Sequence, residues 1–148
     1  MRMKLLIGAI VIASLGLGVA WAFGPLHHGH GRPDPEEMAK LITFHVNDTL
    51  DELKANDAQR ATVLAVKDRL LAEGKKLHEG HAATHEELLR QWGSASPDKA
   101  KLHALADAQV EELRGFLHQA VDAFAEVHAT LTPEQRAQLV QEFQKHHK

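Results

Sequence analysis

The sequence predicts an all-α chain, on three observations. Two long stretches repeat apolar residues at three- and four-residue spacing. Four sites carry the residue signature of a helix start. Nowhere does apolar alternation with β-branched enrichment suggest a strand. The expected architecture is about four helices, two of them long and folded into an antiparallel hairpin.

The first element is a leader. Arg2 and Lys4 form a positive n-region, an uncharged apolar run from Leu5 to Val19 follows, and Ala20-Trp21-Ala22 gives a small-x-small cleavage pattern. Residues 1–22 therefore read as a secretory signal peptide, with the mature chain starting at Phe23. The competing reading is an inner-membrane anchor, because Leu5 to Phe23 nearly reaches the roughly 20 apolar residues of a spanning helix. The glycines, prolines and histidines immediately afterwards favour cleavage. Residues 23–34 form a His/Gly/Pro-rich lead, and residues 35–148 a single helical domain.

Asp34-Pro35-Glu36-Glu37 opens the first helix, with a capping aspartate, proline at the first helical position and acid in the first turn. Its apolar face is expected to hold Met38, Leu41, Ile42, His45, Thr49 and Leu53. Lys54 and Ala55 make a short break. Asn56 and Gln59 form a capping box, and a helix is expected from Asp57 to Trp92. Its seam reads in strict 4-3 spacing as Leu64, Lys67, Leu71, Gly74, His78, His81, His85, Leu88 and Trp92, with Val63, Leu70 and Leu77 alongside. Gly74 and Gly80 each weaken it by roughly 1 kcal/mol relative to alanine. After a loop from Gly93 to Ser96, Ser96-Pro97-Asp98 caps a third helix reaching about Thr130. Its seam is Leu102, Leu105, Gln109, Leu113, Phe116, Ala120, Phe124, Val127 and Leu131. Thr132-Pro133-Glu134-Gln135 starts the fourth, with Thr132 as cap and Gln135 closing a second box.

Composition narrows the function. The chain has no cysteine, so it carries neither disulfides nor thiolate metal sites. Removing the leader takes the formal charge from −3 to −5, and protonating all 12 histidines, which lie in the mature part, would carry it to +7. There is no basic patch of the kind nucleic-acid binders need. No catalytic constellation stands out either. A Gly-x-Ser-x-Gly elbow and a phosphate-binding glycine loop are absent, and Ala82 stands where a His-Glu-x-x-His motif from His81 to His85 would need its base. An enzyme is not expected.

The stretch Leu131-Thr132-Pro133-Glu134-Gln135 resembles the Leu-Thr-x-x-Gln signature of the Spy/CpxP group of small periplasmic helical proteins. Asn56-Asp57-Ala58-Gln59 resembles a second copy, with Ala55-Asn56 where leucine-threonine is usual. The resemblance covers Pro35 to about His147. It implies a dimeric, curved helical cradle in the periplasm. The group includes ATP-independent chaperones that hold unfolded or partly folded clients, a regulator that binds a two-component sensor kinase at the membrane, and zinc- or cobalt/nickel-responsive metal binders. Two functions follow as expectations: a chaperone and envelope-stress protein with metal-binding capacity, or a heavy-metal sensor or buffer governing stress or efflux.

The histidines bear on that choice. His78, His81 and His85 fall at i, i+3 and i+7 on one side of a helix, where imidazoles can converge on Zn²⁺, Cu²⁺, Ni²⁺ or Co²⁺. The alternatives are a polar gap in a dimer or client face, or plain solvated surface. His45 could add a ligand from another helix, or be a core histidine with a satisfied hydrogen bond. His27, His28 and His30 in the lead, and His146 and His147 at the end, are weaker metal candidates. His103, His118 and His128 read as solvated.

Overall fold

A computed structural model describes residues 35–146, which form four helices: α1 (Pro35–Glu52), α2 (Asp57–Trp92), α3 (Lys99–Thr130) and α4 (Pro133–His146). There is no strand among the described residues. The expected signal peptide, the lead with His27, His28 and His30, and His147 lie outside them.

Capping sets the helix boundaries. Asn56, in extended conformation, accepts the Gln59 backbone N–H, and the Gln59 side chain accepts the Asn56 N–H, so both halves of the box are made. Asp98 caps α3 by accepting the Lys101 N–H. α1 ends at a left-handed residue, Lys54, at φ 51°. Around it Ala55 N–H donates to the Leu50 carbonyl and Lys54 N–H to the Asp51 carbonyl. This pairing satisfies two orphan carbonyls of the last turn and is the closure usually built with glycine.

α2 and α3 run antiparallel as the expected hairpin, with α2 about 54 Å long at about 1.5 Å per residue. We call the end where α1 and α4 join them the base. There Val46, Leu50 and Leu53 of α1 and its turn meet Val63 and Val66 of α2, Ala123 and Val127 of α3, and Leu131, with Leu139 of α4 against the cluster. Each fully buried valine or leucine contributes about 1.5–3 kcal/mol, so this cluster dominates the fold. A partly open apolar cleft of ≈ 20 Å³ among Leu50, Val63, Val127 and Leu139 has room for about one water, which limits it as a ligand site.

The seam of α2 differs from the one expected by one residue. The buried line is Gln59, Val63, Val66, Leu77 and Gln91, with Leu70 and Thr84 partly buried along it. Adjacent residues on a helix lie about 100° apart, so the expected line runs along the flank: Leu64 still packs partly buried against the base cluster, whereas His78, His81, His85, Leu88 and Trp92 are exposed. All three histidines are exposed, and Trp92 is 90 % exposed. On α3 the expected seam holds, except that Ala123 takes the buried place given to Phe124. On α1 the buried residues are Val46, Thr49 and Leu50, with Leu53 just beyond, whereas Leu41 faces out. Toward the hairpin tip, beyond Leu77 on α2 and Phe116 on α3, no apolar side chain among the described residues is fully buried.

Lys54 places a β-carbon in the left-handed region, which costs about 1 kcal/mol that glycine avoids. Lys54→Gly should raise stability by about 0.5–1 kcal/mol in urea unfolding, whereas Lys54→Ala should give no gain. A loss of stability with glycine would show that the Lys54 side chain matters more than its backbone.

Candidate functional site

The two capping boxes face each other at the base. Gln59 Nε2 donates to the Thr130 carbonyl at 3.0 Å and to Gln135 Oε1 at 2.9 Å. Gln135 Nε2 donates to the Leu53 carbonyl at 3.0 Å and to Gln59 Oε1 at 3.2 Å. Each Oε1 also accepts the N–H of its own cap residue, Asn56 or Thr132. Both amides thus use two donors and two acceptor positions, the full inventory of a glutamine side chain. Leu131 is buried just before the second cap. The motif residues Asn56, Gln59, Leu131, Thr132 and Gln135 are therefore one assembly, which holds the α1–α2 turn against the α3–α4 turn.

Sequence reasoning missed the residue after each glutamine. Arg60 donates to the Ala55 carbonyl and pairs with Asp51. Arg136 donates to the carbonyls of His128 and Leu131. Each guanidinium occupies carbonyls beside the turn that precedes its own helix. The signal was present as arginine directly following both glutamines.

A second polar clamp closes the tip. The Glu87 carboxylate accepts from Arg90, Gln91 and Lys101, and buried Gln91 accepts the Asp98 N–H across the loop. Hydrogen bonds from Arg90, then Gln91 and Lys101, hold the Glu87 carboxyl down at about 2 from an ordinary 4.5. Between base and tip the seam is wet. Gln109 of α3 donates to Thr84 Oγ1 at 2.9 Å and lies 3.4 Å from both His81 Nδ1 and Glu112 Oε2.

The α2 histidines form no assembled metal centre: among the described residues no three of His, Cys, Asp and Glu stand together as a metal-holding group. His45 lies roughly 20 Å nearer the base than His78, from the rise per residue. Its Nδ1 is buried with no hydrogen-bond partner, so the satisfied core histidine expected there is not what the structure shows. His146 ends α4, and its side chain is outside the described set. His103, His118 and His128 are exposed, as expected.

The surface carries the remaining chemistry. Leu41 and Phe44 on α1, Leu88, Leu89 and Trp92 on α2, Val110, Val121 and Phe124 on α3, and Val140 on α4 are all exposed. They are spread among lysines, arginines and carboxylates. No helix among the described residues is long and apolar enough to cross a membrane.

A model of the LTXXQ motif family matches residues 41–143. No curated protein and no solved structure matches the chain.

Two outcomes test this geometry. Gln59→Ala or Gln135→Ala strands buried partners, and each should cost about 2–3 kcal/mol. In a double-mutant cycle by urea unfolding the pair should couple by about 1 kcal/mol or more; additive losses would mean the amides act separately. Glu87 has a depressed folded-state pKa, so its contribution is present above about 4.5 and lost as pH falls toward about 2. Glu87→Gln should flatten the acid limb of stability over that window, and an unchanged limb would remove Glu87 from the account.

Proposed function

The chain belongs to the LTXXQ motif family, and on that premise we propose that it is an ATP-independent chaperone of the envelope stress response, acting in the periplasm after removal of residues 1–22. The observation that carries this reading is the distribution of large apolar side chains. They stand exposed on all four helices, while the core is concentrated at the base. Each exposed patch is small and ringed by charge, so a client segment gains a modest contact at each and can leave again. Charge attraction brings clients in, and scattered leucine, valine, phenylalanine and tryptophan contacts retain them. Passive holding of this kind needs no nucleotide. Two copies of the chain, paired as a homodimer, would extend the surface and cover part of it. A role in sensing or buffering metals, the second expectation, would draw on His78, His81 and His85 on the flank of α2.

Light scattering of a denatured client with a stoichiometric amount of this protein, without ATP, tests the reading. Aggregation should be suppressed. Leu89→Ser with Trp92→Ser should weaken suppression while changing stability by only about 0.5 kcal/mol, because both residues are exposed. Unchanged aggregation across several clients of both charge signs would overturn the proposal.

A further inference from the structure

Trp92, the last residue of α2, stands 90 % exposed. Leu88 and Leu89, four and three residues before it, share its side of the final turn and are exposed as well. Every residue from Trp92 to Lys101 is exposed, and from Gly93 to Pro97 the loop carries no charge. The closed end of the hairpin is therefore an uncovered apolar cap on a rod whose core lies at the other end.

Charge at this end is sorted. Lys99 starts α3 level with Trp92, and Arg90 and Lys101 lie about 3 Å of helix rise behind them. The two carboxylates beside these cations are engaged within the fold. Glu87 accepts from Arg90, Gln91 and Lys101, and Asp98 caps α3 by accepting the Lys101 N–H. Lys99 has no ion pair among the described residues. From Glu87 to Lys101 three cations stand against two carboxylates, whereas the other described residues, Glu86 among them, carry 10 cations and 17 carboxylates.

An apolar cap edged by cations, on an otherwise acidic chain, is complementary to a bilayer with anionic headgroups. Tryptophan settles at the boundary between membrane and water. Arginine and lysine lay their stems along apolar surface and keep their charges at the phosphates. The cations come from both helices, on either side of the loop, which suits an extended plane of phosphates.

We propose that the closed end of the hairpin docks on an anionic lipid surface through Trp92, Leu88 and Leu89, with Arg90, Lys99 and Lys101 on the headgroups. Leu88 lies about 6 Å of helix rise behind Trp92, which fits the roughly 5–10 Å depth of an interfacial segment. No spanning helix is needed. The acidic remainder is repelled by the same headgroups, so the base stands off in water. The docking does not depend on the chaperone reading, since no client takes part.

Trp92 is its own reporter, because the chain's other tryptophan, Trp21, lies in the leader. The experiment uses residues 23–148, which hold all four helices and every core residue. Vesicles of phosphatidylglycerol with phosphatidylcholine are compared with phosphatidylcholine alone. With the anionic vesicles Trp92 emission should shift to the blue, and lipids brominated near the headgroup end of the acyl chain should quench it. Neutral vesicles should bind far more weakly, added salt should loosen the anionic ones, and inorganic phosphate should leave the emission unchanged. Leu89→Ser should weaken binding about ten-fold or more, and Lys99→Ala about five-fold. Lys54→Ala removes the same charge at the base and should have no effect. All three positions are exposed, so circular dichroism should show the variants folded. An absent shift, an equal shift with neutral vesicles, binding without quenching by brominated lipid, or binding indifferent to Leu89→Ser and Lys99→Ala would overturn the proposal. So would a blue shift that grows with protein concentration in the absence of vesicles, which would assign Trp92 to a contact with a second copy.

Discussion

The reciprocal amide pair of Gln59 and Gln135 is the constraint on which the rest of the structure depends. Every helix leaves N–H groups unpaired at its start and carbonyls at its end, and at the base two helices end while two begin. The glutamines solve both problems together. Each oxygen takes an N–H from its own helix start, and each nitrogen reaches a carbonyl at the end of the other arm. The remaining donor and acceptor of each amide meet the other amide. A buried polar network is worth having only when every member is satisfied, and here it is. Slippage of either turn would strand several groups at once, so the pair fixes the register of α1 and α4 on the hairpin.

Stability is therefore polarised along the hairpin. The base combines the amide pair with an apolar cluster drawn from all four helices and their turns. The tip is held by the Glu87 and Gln91 clamp, and the middle carries Gln109, Thr84, His81 and Glu112 beside the partly buried Leu102, Leu105 and Leu113 of α3. Segments with few buried apolar contacts open most readily. The same distal segment displays Leu88, Leu89, Trp92 and Val110. These exposed apolar side chains therefore stand where the backbone yields at low cost, while the far end keeps the molecule folded.

What could be read from the sequence divides along the same line. The bounds of α2, Asp57–Trp92, and both capping boxes were legible because caps need particular side chains at fixed offsets, whatever the tertiary packing. The seam of α2 was not. Val63 is followed by Leu64 and Leu70 by Leu71, so two neighbouring lines are equally apolar over the first half, and periodicity cannot choose between faces 100° apart. The choice is made by α3, whose Phe116, Ala120, Ala123 and Val127 accept the Val63, Val66 and Leu77 line. Phe124 lost its expected place for a related reason: Ala123 beside it lets the two helices approach at the base. The role of Gly80 was invisible for the same cause, because the sequence shows a weak point in a helix and not the Glu112 carboxylate lying against it.

The one-residue rotation of α2 decides what its histidines can do. In the seam, His78, His81 and His85 would have been buried beside leucine and obliged to pair with each other or with α3. On the flank they meet solvent, and His81 has a hydrogen-bonded neighbour, Gln109, across the hairpin. Behind them Gln109 donates to Thr84 and so joins α3 to α2 where no apolar side chain among the described residues is buried. The distal hairpin therefore rests on hydrogen bonds that water can replace, and its helices separate at lower cost than those at the base.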